Sequence, residues 1–345
     1  MSFSLKNLDS VFIVAELSAN HNGSIDIAKK TIEAAKRSGA DAIKLQTYTP
    51  DTITIKSNKD DFLIKSNSIW DGQYLYDLYE QAYTPWEWHE ELFNFSKEMD
   101  ILCFSTPFDK SSVDFLENLN VPIYKIASFE ITDIPLIQYV ASKKKPIILS
   151  TGIANLDDIQ IAIDTIRKVG NNEIALLKCT SSYPAPLEGS NLVMIEEYKN
   201  RFDVIPGLSD HTLGIMSPII AASLGAKIIE KHFIIDKNIG GPDSSFSLDE
   251  KEFTEMVSSI RKTEIILGKI DYNLSKKQLQ SKQFSRSLYI TKDIKKGDLF
   301  TEHNVQSKRP GYGLHPKYLK DIIGKRSNQN LEVGDRFELK YIDDE

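Results

Sequence analysis

Cysteine is scarce in this chain, which excludes a disulfide-built scaffold: Cys103 and Cys179 are the only two in 345 residues. Both lie inside apolar runs, "ILCFS" and "LLKCTS", and read as buried structural thiols of a reducing compartment rather than a bridge or a nucleophile. An excess of positive charge is also missing. Lys and Arg total 42 against 49 Asp and Glu, a formal net charge of -7, so the overall field favours neither nucleic acid nor an acidic membrane. An anionic substrate would therefore need a local pocket of Lys, Arg and backbone N–H groups. No apolar run approaches the roughly 20 residues of a membrane span. The stretch "VFIVAEL" near the start is too short for a signal segment and is interrupted by Glu16, so the expected location is cytoplasmic. The metal-site patterns CxxC and HExxH do not occur.

What the chain does have is an ordinary globular balance, 41% hydrophobic and 26% charged, and a regular alternation. Strands are expected at "VFIVAE", "AIKLQT", "ILCFST", "PIYKIAS", "PIILST", "IALLKCT", "DVIPGLSDH" and "KIIEKHF", with amphipathic helical stretches between most of them. Gly39, Gly170, Gly225 and Gly268 fall where left-handed helix ends are expected. This alternation fits an α/β fold of the (β/α)8 TIM-barrel type, with a doubly wound open sheet as the rival. Each strand-like run turns polar at its C-terminal end. In a barrel all such ends meet at one mouth, whereas an open sheet uses only those at a switch point, and this favours the barrel. The expected boundaries are a barrel over 1–268, a polar linker over 269–283, and a small β-rich domain over 284–345. Residues 48–84 form a long aromatic insertion with Trp70, Tyr74, Tyr76, Tyr79 and Tyr83, expected as a lid or a substrate wall.

Six histidines occur. His89 falls on a helical face and reads as structural; His303 lies in a polar turn. His21 follows the first strand and either orients neighbours or touches substrate. His211 and His232 end strands seven and eight, which are neighbours in a barrel. Two converging imidazoles can hold a divalent ion and leave positions open for water and substrate; two hydrogen-bonded core histidines are the alternative. Asp210 and Glu230 are candidates to support the imidazoles from behind. Lys44, Lys125 and Lys178 lie near strand ends beside Thr106, Ser128, Ser150 and Ser181 or Ser182. An unpaired buried ammonium is costly, so these lysines are expected to bind a phosphate or carboxylate, to act as a Schiff-base nucleophile, or to sit in structural ion pairs. Glu16 and Glu130 could bind hydroxyl groups or move a proton. In the small domain "SKRPGYGLHP" frames Arg309 in a tight loop.

With these residues in place the chain resembles the sialic acid synthase family of phosphoenolpyruvate-condensing enzymes. The resemblance rests on "AELSANHNG", "IKLQTYTPD", "FSTPFD", "YKIAS", "ILSTG", "LKCTSSYP", "GLSDHT", "IEKHF", "GPDSSFSLD" and "KRPGYGLHP", in order along nearly the whole chain. It implies a TIM barrel followed by an antifreeze-like (SAF) domain. It further implies His211 and His232 as ligands of a divalent ion of the manganese type, with magnesium or cobalt as alternatives. Lys44, Lys125, Ser128, Ser150, Thr106 and Ser209 match positions around phosphoenolpyruvate. Glu16, Gln46, Glu130, Tyr183 and Asp243 match positions facing the sugar or the reacting centre. Arg309 matches an arginine that contacts an acetamido group in the partner subunit's barrel of a domain-swapped homodimer. One position departs, since the family usually has Asn after "CT" where this chain has Ser181. "ELSANH", "QTYTPDT", "LYDLYEQAYTPWEWH" and "GLHPKYL" look like the branch that makes pseudaminic acid, with the N-acetylneuraminate and legionaminate branches as alternatives. A Schiff-base sugar-acid aldolase and a non-catalytic carbohydrate-binding protein are the readings from other classes.

Overall fold

The computed structural model describes residues 3–65 and 69–343; residues 66–68 of the expected insertion and the last two of the small domain lie outside the described residues. The chain divides into two compact units, Met1–Gly268 and Lys269–Glu345.

The first unit is a closed barrel of eight parallel strands in sequential order. They are β1 (Phe12–Glu16), β2 (Ala42–Thr47), β3 (Leu102–Pro107), β4 (Tyr124–Ile126), β5 (Ile147–Ser150), β6 (Ile174–Cys179), β7 (Ile205–Asp210) and β8 (Ile228–His232). β8 closes on β1, with Glu16 opposite His232 and, on the other side, opposite Lys44. All eight coincide with the runs expected from the sequence. The four glycines expected at helix ends all have positive φ, between 53° and 91°, a region open to glycine without a Cβ penalty.

Strand alternation sorts the side chains. Phe12, Val14, Ala42, Phe104, Ile123, Ile148, Ala175, Leu177 and Ile228 form the apolar filling of the barrel. Their intervening neighbours, such as Ile13, Ile43 and Ile229, pack outward against the helices. Gly207 of β7 has no side chain because none fits: a Cβ there would lie 2.4 Å from Leu177 Cδ2 and 2.5 Å from the Ile228 carbonyl oxygen. Above this filling, toward the strand C-termini, the inward positions become polar.

The helix Met194–Phe202 between β6 and β7 was not among the stretches expected from the sequence, and the insertion carries a helix at Leu75–Ala82. Both are short, nine and eight residues, so few turns are available from which a period of 3.6 can be read. None of the described helices is long and apolar enough to cross a membrane. The second unit contains a short helix, Lys276–Ser281, and an antiparallel pair, β9 (Ser287–Ile290) with β10 (Val305–Lys308). Leu288, Ile290, Phe300, Val305 and Phe337 form its own core.

Candidate active site

Inward positions at the C-terminal ends of β1, β2, β4 and β8 bring Glu16, Lys44, Lys125 and Glu230 together with almost no solvent exposure. Lys125 Nζ donates to both Glu230 carboxylate oxygens at 2.8 and 2.9 Å. Lys44 Nζ lies 2.7 Å from Glu16 Oε2 and 3.7 Å from Glu230 Oε1, and donates to Thr106 Oγ1 at 3.1 Å. Gln46 Nε2 donates to the second Glu16 oxygen at 3.1 Å, and Ser209 Oγ to Glu230 at 3.3 Å. Burial disfavours ionisation of Glu230, but Lys125 and Lys44 outweigh it and hold the carboxyl well below its usual range. Glu16 has the opposite balance, since burial outweighs Lys44 and raises it to about 7. Burial likewise pulls the Lys125 ammonium down.

Glu230 is thus the counter-ion of two lysines and does not support His232, which corrects one expectation. Asp210 corrects another. It points to the outer side of β7, where it pairs with Lys231 Nζ at 2.5 Å and accepts from Thr212 N at 3.1 Å. Lys178 also faces away from the cluster, donating to the Cys179 carbonyl oxygen at 2.7 Å. For Glu230 and Asp210 the tertiary partner decides, because a polar residue at a strand end says nothing about which other strand supplies its opposite charge.

The imidazoles of His211 and His232 converge, with ring centroids 5.4 Å apart. His211 Nδ1 lies 3.1 Å from the Thr180 carbonyl oxygen and 3.9 Å from Cys179 Sγ. A proton on Nδ1 facing that carbonyl leaves Nε2 as the lone-pair nitrogen. His232 Nδ1 is buried with no hydrogen-bond partner, and the nearest carboxylate oxygen is Asp243 Oδ2 at 3.6 Å. Burial first, then His211 and the nearby lysines, keep His232 neutral. Burial disfavours the His211 cation, but Cys179 and the Thr180 carbonyl outweigh it and raise its pKa. Two convergent imidazoles, His232 neutral with an unsatisfied ring nitrogen, fit a divalent ion whose binding displaces the His211 proton. No group of three or more His, Cys, Asp or Glu among the described residues is arranged to hold one, so the remaining ligands would be water and substrate, as in an open catalytic site.

Other unsatisfied polar atoms ring the same mouth: Ser150 Oγ at the end of β5 and Glu130 Oε2 in the turn after β4. Burial raises the Glu130 carboxyl to about 7. Ser181 Oγ donates to Ser128 Oγ at 2.8 Å. Gly152, which the sequence reading did not single out, makes room for that pair, since a Cβ there would lie 2.1 Å from Ser181 Oγ and 2.6 Å from Ser128 Oγ. Asp243 Oδ2 accepts from Ala19 N at 3.3 Å. The Tyr183 ring packs 4.4 Å from His211 and 5.3 Å from Phe246. Trp70 of the insertion packs 5.4 Å from Tyr183, so this stretch forms an aromatic wall over the histidines. Cys179, read as purely structural, also contributes its thiol to the surroundings of His211. His89 is buried and bonded to Thr47 Oγ1 at 2.8 Å, a structural role. His21 is buried edge-on against Trp88. Arg309 belongs to the second unit.

Glu130 gives stability a sign with pH. Its folded-state value of about 7 lies above the ordinary 4.5, so between these values the folded chain holds more protons than the unfolded one, and stability falls as pH rises through this window. Glu16 acts in the same direction. Urea midpoints measured from pH 4.5 to 7 should decline less steeply in Glu130→Gln than in the parent; equal slopes would contradict this assignment.

A TIM barrel that gathers a buried Lys–Glu cluster and a histidine pair at the C-terminal ends of its strands has them where barrel enzymes carry their active sites. The chain belongs to the NeuB family, whose family model matches residues 31–272, and an SAF domain matches residues 285–335. It is 49% identical over 325 residues, 94% of each chain, to a pseudaminic acid synthase of Campylobacter jejuni. To the pseudaminic acid synthase of Helicobacter pylori it is 47% identical over 93% of this chain and 94% of that one. A solved structure of N-acetylneuraminic acid synthetase from Leptospira borgpetersenii superposes with a TM-score of 0.72 at 30% identity, covering 81% of this chain and 95% of the other.

Proposed function

We propose that the chain condenses phosphoenolpyruvate with open-chain 2,4-diacetamido-2,4,6-trideoxy-L-altrose to give pseudaminic acid and phosphate. The observation that carries this reading is the meeting of the buried Lys44–Lys125 pair with the histidine pair at one barrel mouth. The similarity to pseudaminic acid synthases over nearly the whole chain supports the choice of sugar.

In the reaction, the enol double bond of phosphoenolpyruvate supplies the electron pair for a bond from its C3 to the sugar aldehyde carbon, and the aldehyde oxygen takes a proton. The attack leaves C2 cationic; water adds there with loss of one proton, and the tetrahedral carbon expels phosphate as its new hydroxyl gives up the second proton to leave the C2 ketone. Lys44 and Lys125 are placed to exchange their carboxylate partners for the substrate's phosphate and carboxylate. The hydroxyls of Thr106, Ser128, Ser150, Ser181 and Ser209 would complete charge-assisted hydrogen bonds to that anion. Glu130 can accept the proton from the attacking water, its pKa of about 7 suiting a general base at neutral pH. Glu16, Gln46, Tyr183 and Asp243 border the place left for the sugar. A divalent ion of the manganese type held by His211 and His232 would polarise the aldehyde as a Lewis acid. An enzyme that consumes phosphoenolpyruvate fits the cytoplasm.

The assay that tests this reading is phosphate release from phosphoenolpyruvate with a panel of N-acylated hexoses. Release with the diacetamido trideoxy sugar in preference to N-acetylmannosamine supports it. Preference for N-acetylmannosamine or for a legionaminate precursor would move the chain to another branch, and trapping of pyruvate on a lysine by borohydride would replace the mechanism. A domain-swapped homodimer in which Arg309 contacts an acetamido group belongs to the same proposal. Arg309→Ala should raise the sugar KM about tenfold or more with little change for phosphoenolpyruvate. Mixed dimers with a barrel-inactive variant should recover part of the activity, and absence of recovery in verified mixed dimers would place Arg309 within its own chain.

A further inference from the structure

Two loops meet beside the histidine pair. One follows β1 over residues 17–24, and the other follows β8 over residues 233–249. The second is closed at its base on the strand end, since Leu248 N donates to the His232 carbonyl and Ile234 N to the Leu248 carbonyl, both at 2.9 Å. The first fastens it from across the gap. Asn20 is fully buried, and its amide donates to the Phe233 carbonyl at 2.9 Å and to Ser247 Oγ at 2.8 Å, near the two ends of the second loop. Ser247 Oγ in turn donates to the Asp243 carbonyl at 2.7 Å. Asn22 Nδ2 adds a bond to the Ile239 carbonyl at 3.2 Å. Asn20 Oδ1 has no partner, so the two donated bonds alone set the orientation of its amide.

The first loop is bent against its preference at Ser18. Its φ of 46° lies in the left-handed region, where a Cβ crowds the following carbonyl and glycine enters freely. A serine persists in this conformation only when its surroundings hold it there. The turn brings two donors to one carboxylate. Ala19 N donates to Asp243 Oδ2 at 3.3 Å. Burial raises the Asp243 carboxyl, and the Ser18 hydroxyl and the Ala19 N–H act in the opposite direction. The same Oδ2 lies 3.6 Å from His232 Nδ1.

We propose that Ser18 and Asn20 are positioning residues: the strained turn and the amide clamp together hold the Asp243 carboxylate beside His232, in place for the sugar. A carboxylate on an unfastened loop samples several rotamers and accepts from a substrate hydroxyl in only some of them. Fixing it beforehand removes that ordering cost from binding. Their role rests on the reading of Asp243 as a group that borders the sugar.

The test compares the parent with Ser18→Gly, Ser18→Ala and Asn20→Ala, all as full chains. It measures urea midpoints, steady-state phosphate release with the N-acylated hexose that the panel selects, and the crystal structure of each chain. Ser18→Gly removes the hydroxyl and relieves the left-handed strain, so its urea midpoint should equal or exceed the parent's. Its sugar KM should nevertheless rise about tenfold, the effect of one hydrogen bond, with the KM for phosphoenolpyruvate within about twofold. Ser18→Ala should show the same rise at a lower midpoint. Asn20→Ala opens the clamp and should raise the sugar KM at least as far, again sparing phosphoenolpyruvate. A parental sugar KM in Ser18→Gly would overturn the assignment. So would equal rises in both Michaelis constants that follow the loss of midpoint, which would mark a merely structural role. In the crystal structure of Ser18→Gly the Asp243 carboxylate should leave its parental rotamer, and an unmoved carboxylate would also overturn the assignment. That readout needs no turnover. Failure of the parent to act on any sugar of the panel would therefore remove the reading of the reaction, whereas an unmoved Asp243 removes the positioning role alone.

Discussion

Lys125→Met is expected to be both unstable and inactive. Lys125 is buried and its two hydrogen bonds at 2.8 and 2.9 Å are what allow Glu230 to ionise inside the barrel. Removing one partner of such a pair leaves an uncompensated buried charge, at a cost of about 3–5 kcal/mol. Lys44, at 3.7 Å and already engaged with Glu16, offsets only part of this. The Glu230 carboxyl then moves up from its depressed value, and stability gained by raising the pH above the ordinary carboxylate range is lost. Activity should fall about 10²–10³-fold, the usual effect of losing one preorganised group that stabilises developing charge. The double variant Lys125→Met/Glu230→Gln separates the two effects. It should regain most of the stability, since a neutral amide replaces the stranded carboxylate, and none of the activity. Denaturant midpoints and phosphate release measure both; a double variant that recovers neither stability nor solubility would argue that the pair is not an isolated electrostatic unit.

The second large effect concerns the histidines. His232→Ala should abolish turnover and weaken retention of a divalent ion by more than the roughly 10–100-fold that loss of an outer-sphere partner causes. His211→Ala should do the same, whereas Asp210→Asn, on the opposite side of β7, should affect ion retention much less. Manganese content by EPR after gel filtration reads retention independently of catalysis. Stoichiometric ion retention by His232→Ala, or full phosphate release by the parent after rigorous chelation, would remove these two side chains from that role.

The architecture could be read from the chain because a parallel barrel repeats one signal eight times. A short apolar run, a polar end and an amphipathic helix each carry local information, and all eight strands lie where these runs do. The site was legible only as a set of candidates. Glu16, Lys44, Lys125, His211 and His232 stand out because each lies at or near the end of a strand-like run, and strand ends of a barrel share a mouth. Trp70 stands out in the sequence only as one aromatic among several in the insertion, and Gly152 carries no local signal at all. Gly152 matters through a side chain that would strike Ser181, a property of its surroundings.

Glu230 shows the division most clearly. Local sequence determined that a carboxylate stands two residues before His232 on the same side of β8, and that the strand below it is apolar. Only the closed barrel decided that its partners are Lys125 and Lys44, residues distant in sequence that meet it across the barrel interior, while Lys231 next to it pairs outward with Asp210. Periodicity along a strand fixes which face a side chain takes. Electrostatic pairing depends on distances of 3–4 Å between strands, and those distances exist only once the sheet has closed.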